Sequence, residues 1–170
     1  MIDLKSDGYL AGLADGEGCF QVSARPRKKG NPAIRFSFVI GLRDDDGWLL
    51  ELLRHEFGGE LHGFAHTKLE NTNPSLAWHV ANKRAVLSLI AYFDKHPPLL
   101  KADEYNVWRE AVMLYCRHSP GRGGGRVPDW LIEAMRAYDK KLKGLKKYNS
   151  TKGESVDVDF DNPQQEFDFE

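Results

Sequence analysis

Leu10-Ala11-Gly12-Leu13-Ala14-Asp15-Gly16-Glu17-Gly18 runs from a small, apolar helix directly into two carboxylates set among glycines. Ser6 or Asp7 is positioned to cap that helix by accepting from its free backbone N–H groups. Leu10, Leu13 and Ala14 share one face at i, i+3 and i+4. Gly8, Gly12 and Gly16 recur every fourth residue on another. Each interior glycine costs about 1 kcal/mol relative to alanine. A glycine row of this spacing therefore suits a position where a second helix packs almost backbone to backbone. Gly16 and Gly18 are then expected to release the chain, with Asp15 and Glu17 at the carboxyl end of the helix.

Acids are disfavoured at a helix C-terminus, where the backbone dipole is already negative, unless a cation compensates. Carboxylate and free carbonyl oxygens suit a hard cation such as Mg²⁺, which keeps several of its waters. On the residues alone, a solvated helix end and a metal-binding end both fit this pattern.

The nine residues closely resemble the signature of the LAGLIDADG homing endonucleases, and Tyr9, Cys19 and Phe20 fit the flanks. The likeness continues over roughly residues 6–148 as helix, two strands, helix, two strands and further helices. It implies an α+β fold, a LAGLIDADG-type αββαββα(α) domain whose curved antiparallel β-sheet forms a DNA-binding saddle. It makes Glu17 the catalytic, metal-binding carboxylate, the Gly16 carbonyl a further metal ligand, and Asp15 a support of the turn in the catalytic cluster. Glu17 stands where the family name has aspartate, one methylene shorter. Pro98-Leu99-Leu100-Lys101, with Tyr105 and Trp108 four and seven residues on, also resembles a family stretch whose lysine reaches the active site; that role falls to Lys101. The implied metal is Mg²⁺, with Mn²⁺ as a substitute.

The pattern L-x-G-x-x-D-x-[DE]-G occurs once, and 170 residues suffice for one such domain. One carboxylate-bearing helix organises a cut on one strand, so both strands require two copies. The expected assembly is a homodimer meeting at Gly8, Ala11, Gly12 and Asp15, on a roughly palindromic double-stranded target.

Charge is divided along the chain. The net charge of −1 conceals an acidic end: residues 153–170 hold seven acids and no Lys or Arg, leaving 24 basic against 18 acidic residues before them. A basic domain over 1–150 and an acidic, disordered tail over 151–170 follow from this. Gln164–Phe169 resembles a peptide that docks on bacterial sliding clamps, although two stray phenylalanines in a disordered end read the same way. Cys19 and Cys116 have no metal-ligand spacing and suit a reducing compartment. No signal peptide is evident, and no apolar run is long enough to cross a membrane. Plentiful arginine, alanine and glycine with scarce isoleucine point to a GC-rich coding sequence. That favours a bacterium or phage-infected cell over an organelle.

Two hairpins carry the candidate DNA contacts. In Cys19–Arg25, Phe20, Val22 and Ala24 alternate with Gln21, Ser23 and Arg25; Ala33–Arg43 opposes an apolar row to Arg35, Ser37, Val39, Gly41 and Arg43. Arg27, Lys28 and Lys29 lie in the turn between them. A two-stranded ribbon fits the major groove, where Arg and Gln read base edges. A half-solvated sheet is the ordinary alternative. Glu60–His66 and Leu76–Ala81 form the second hairpin, with His62, Ala77 and His79 toward the groove and His66 and Lys68 near phosphates. These histidines lack the close ligand pairs of zinc sites.

Asp44–Asp46 cap a helix buried through Trp48, Leu49, Leu52, Leu53 and Phe57. Asn82 caps another, through Asp94. Helices over Leu100–Tyr115 and from Pro128 or Asp129 complete the domain, the last buried through Trp130, Leu131, Ala134, Met135, Tyr138 and Leu142. The glycine-rich 116–127 loop, with Arg117, His118, Arg122 and Arg126, is either a phosphate grip or a solvated loop. Five lysines within 140–147 close the chain's last helix as a solvated end. The function implied is a sequence-specific, Mg²⁺-dependent double-strand DNA endonuclease leaving short 3′ overhangs and promoting intron homing. The alternative is an RNA-splicing maturase that binds intron RNA, or a non-cleaving regulator on the same fold.

Overall fold

The computed structural model describes residues 8–25, 32–64, 75–120 and 125–146. Ser6, Asp7, Arg27, Lys28, Lys29, His66, Lys68, Arg122, Lys147 and the 151–170 tail lie outside them. The elements run α1 (Tyr9–Glu17), β1 (Gly18–Arg25), β2 (Ala33–Arg43), a 3-10 turn (Asp44–Asp46), α2 (Gly47–Phe57), β3 (Glu60–Phe64), β4 (Ser75–Val80), α3 (Lys83–Phe93), α4 (Ala102–His118) and α5 (Asp129–Leu145). This is the α+β order expected, and each of the five α-helices answers to one expected from the sequence.

The strands form one antiparallel sheet in the order β1-β2-β4-β3. Register places Phe20 opposite Phe38 and Phe38 opposite Val80, while Ile40 faces Trp78. Those side chains fill one face, under the helices. Phe20 anchors an aromatic cluster, its ring centroid 4.8 Å from Phe38, 5.3 Å from Trp108 and 5.7 Å from Phe93. Each such pair adds about 1 kcal/mol beyond area burial. Trp78 is fully buried yet satisfied, since its indole N–H donates to the Gly58 carbonyl at 2.7 Å.

Period-2 alternation located both strands of the first hairpin to within a residue, because one face is core and the other is not. The α2 stripe is rotated from the expected one. Leu49, Leu50, Leu53 and Phe57 are buried, whereas Trp48 and Leu52 are exposed. The run Trp48-Leu49-Leu50-Glu51-Leu52-Leu53 is apolar nearly all round, so sequence fixes the helix without fixing its phase. Trp130 of α5 is likewise half exposed, and Leu131, Ile132, Met135 and Leu142 do the packing. Asn82 caps α3 as expected, its side-chain oxygen accepting from the Ala85 N–H at 2.8 Å.

Candidate active site and nucleic-acid interface

α1 enters through Gly8, which takes a left-handed φ of 66° at the N-cap, with no side-chain cap among the described residues. Gly8 therefore serves the helix entry and is not the first step of a helical glycine row. Leu10, Ala11 and Ala14 face the protomer's own core. This corrects the assignment of Ala11 to the contact between copies: with 7% of its surface accessible, it has nothing to offer a partner. Gly12 and Gly16 are exposed, and a Cβ at either would meet nothing within 4 Å.

The helix passes into β1 without a loop. At Gly18 a Cβ would stand 2.6 Å from the Ala14 carbonyl oxygen and 2.9 Å from the Phe38 ring, so only glycine fits. Gly16 stays inside the helix, and Gly18 alone makes the junction.

The two carboxylates at that junction differ. Asp15 accepts three backbone N–H groups across 84 to 86 residues of sequence: Leu99 at 2.8 Å on Oδ2, and Leu100 and Lys101 at 3.0 Å on Oδ1. It thus satisfies free amides at the start of α4 from another helix, the charge-assisted equivalent of an N-cap. Asp15 is a positioning residue, since its carboxylate holds three amides at the α4 start. Glu17 is exposed and makes no hydrogen bond or ion pair among the described residues.

What Asp15 positions is Lys101. The Lys101 ammonium donates to the Gly18 carbonyl at 2.7 Å and to that of Gly16 at 3.3 Å. A cation at a helix C-terminus completes the dipole. The Gly16 contact is the longer, leaving that carbonyl a lone pair for another partner. Lys146, read in the sequence as part of a solvated helix end, enters the same cleft, its ammonium 3.2 Å from the Cys19 sulfur. Proximity of the α5 end to β1 is a tertiary fact with no sequence signal. No cluster of three or more His, Cys, Asp or Glu groups placed to hold a metal occurs among the described residues. One carboxylate and one carbonyl still fit a Mg²⁺ ion whose other ligands are water and phosphate oxygen.

The sheet's second face is open. Gln21, Ser23, Arg25, Arg35, Ser37 and His79 line a trough of about 410 Å³ on it. Two predicted groove contacts are covered: Ser37 is 7% accessible and hydrogen-bonds Gln21 at 3.2 Å, and Ala77 is 6% accessible. Both sit on central strands, overhung by longer neighbours. Val39 is partly exposed beside them. Arg43 reaches instead to Asp45, 2.7 Å away, in an exposed ion pair. His62 and His79 lie ring to ring at 5.6 Å. The pKa of His79 is lowered, first by desolvation and then by His62 and Arg35, against the opposing pull of Glu60.

The profile of the LAGLIDADG endonuclease family matches residues 10–112, which span α1 through most of α4. The chain belongs to this family. Among solved structures, the LAGLIDADG domain described here is similar to the homing endonuclease I-TnaI, at 21% identity and TM-score 0.66, covering 85% of this chain and 95% of that one. It is also similar to I-Vdi141I, an archaeal intron-encoded homing endonuclease complexed with DNA, at 18% identity and TM-score 0.67, covering 86% and 87%. The meganuclease I-SmaMI, bound to uncleaveable DNA, matches at 18% identity and TM-score 0.67 over 79% of this chain and 44% of its own. Identities this low establish a shared fold. None of the curated proteins matches. Sequence reasoning about this LAGLIDADG domain missed Lys146 and also Glu60, which shares the strand parity of His62 and so was legible as an open-face residue.

Proposed function

We propose that this LAGLIDADG protein is a homodimeric homing endonuclease that cuts both strands of a long, roughly palindromic DNA target with Mg²⁺, leaving short 3′ overhangs. The observation that carries the reading is the asymmetry of the two acids: Asp15 accepts three backbone amides, and Glu17, exposed and with no hydrogen bond or ion pair among the described residues, lies between the two glycines whose carbonyls Lys101 holds.

Glu17 and the Gly16 carbonyl would hold the metal, with phosphate and water completing its shell. Mg²⁺ bound there would supply Lewis-acid stabilisation and a water of lowered pKa. Lys101 brings positive charge to the same helix end, where negative charge grows on the attacked phosphate. Asp15 holds the backbone of residues 99–101, and with it the origin of that lysine side chain. The open Gly12–Gly16 surface leaves room for a two-fold-related helix to approach closely. Two such helices would set two Glu17 carboxylates on opposite strands. Arg25, Arg35 and Gln21 on the open sheet face would meet base edges and phosphates.

The test is Glu17→Gln. The amide keeps size and removes charge, so the variant should bind target DNA with wild-type affinity and lose Mg²⁺-dependent cleavage. Cleavage at the wild-type rate would reject Glu17. Wild-type protein that binds DNA specifically and never cuts it would favour the non-cleaving reading.

A further inference from the structure

Glu60 is the sole acid in the four strands, and it stands on the open face. It lies directly across from His79, and its Oε2 is 3.6 Å from His62 Nε2. Its side chain is 77% exposed, beyond hydrogen-bond distance of any described group and in no ion pair stronger than that long histidine contact. The face around it is otherwise neutral or basic, with Arg25, Arg35 and Arg43. A carboxylate there repels phosphate, so it is useful to a DNA-reading surface only where it finds a hydrogen-bond donor.

The major groove offers such donors in limited form. Cytosine presents its N4 amino group without an adjoining acceptor. Adenine presents N6 beside N7, and an acceptor-only side chain is repelled by N7. We propose that Glu60 is a base-reading residue that selects cytosine at one position in each half-site of the target. The inference rests on the reading that the open sheet face lies on duplex DNA. His62, 3.6 Å from the carboxylate, and His79, its partner across the ladder, mark its place on the open face. Burial, then His62 and Arg35, lower the pKa of His79 against the pull of Glu60, which disfavours an imidazolium opposite the carboxylate.

The experiment is selection from a duplex library by binding alone, at neutral pH without divalent metal, followed by sequencing of the bound fraction for wild type, Glu60→Gln and Glu60→Ala. Wild type should enrich cytosine at one position per half-site. Glu60→Ala should flatten that position by about 10-fold or more, leaving other positions and the melting temperature unchanged. Glu60→Gln should shift it toward adenine, which an amide pairs through N6 and N7. Identical base profiles for the three proteins, or a preference other than cytosine at the Glu60-sensitive position, would overturn the assignment. Wild type that selects sequence yet fails to cut on adding Mg²⁺ would remove the nuclease reading and leave Glu60's role standing. If wild type enriches no sequence, DNA reading by the sheet and the role of Glu60 fall together.

Discussion

Asp15 and Glu17 are two residues apart on one helix end, carry the same charge, and have opposite surroundings. Asp15 is enclosed by three amides from the start of α4, while Glu17 projects where no described group meets it. A carboxylate that accepts three backbone N–H groups is a structural clamp, because most of its acceptor sites are taken. An unpartnered one is available to a cation. One helix end therefore holds one carboxylate and leaves the other open over a single turn, and under the proposed function the two should come apart on mutation.

Glu17→Gln gives the largest expected change, a fall in cleavage rate of about 1000-fold, or about 4 kcal/mol of transition-state stabilisation, with the melting temperature unchanged; single-turnover cleavage and thermal melts read both. Lys101→Met comes next, at about 100-fold in the cleavage step, with DNA affinity nearly retained in a metal-free binding assay. Asp15→Ala reverses the pattern of Glu17. Stranding three amides should cost about 2 kcal/mol of stability, visible as a lower denaturant midpoint, and cleavage should drop with it as Lys101 loses its mooring. An Asp15→Ala protein that melts like wild type while losing only catalysis would erase the contrast.

The smallest effect is set by a carboxylate of the structural kind elsewhere. Asp94 takes a bidentate contact from Arg109 at 2.7 and 2.9 Å and the Tyr105 hydroxyl at 2.6 Å, tying the end of α3 to α4. The Arg109 hydrogen bond, helped by Tyr105 and opposed by burial, holds its pKa below the usual 3.8. Its stabilising share is therefore complete above the unfolded-state pKa and lost as pH falls through the folded one. Asp94→Asn should flatten the acid limb of a stability-versus-pH curve below about pH 4, with neutral-pH cleavage preserved.

Local patterning made much of this molecule legible. Alternation from Phe20 to Arg25 and from Ile34 to Arg43 marked the sheet and its two faces, since a strand with one buried side repeats every two residues. The nine-residue stretch ending at Gly18 announced both the family and the acidic helix end. Where apolar residues crowd every side of a helix, as around Trp48 and Leu52, the pattern could not give the rotation, because the missing information lies in what packs opposite.

Sequence by itself determined the strands, the single motif, the basic charge of the domain and the identity of the acids at the helix end, all of which depend on residues close along the chain. Tertiary structure alone decided that Asp15 clamps α4, that Lys101 reaches the Gly18 carbonyl, that Lys146 enters the same cleft, and that Ala11 turns inward. Those contacts join residues up to 127 positions apart. Their partners are chosen by how helices dock on the sheet, and no local periodicity encodes that choice.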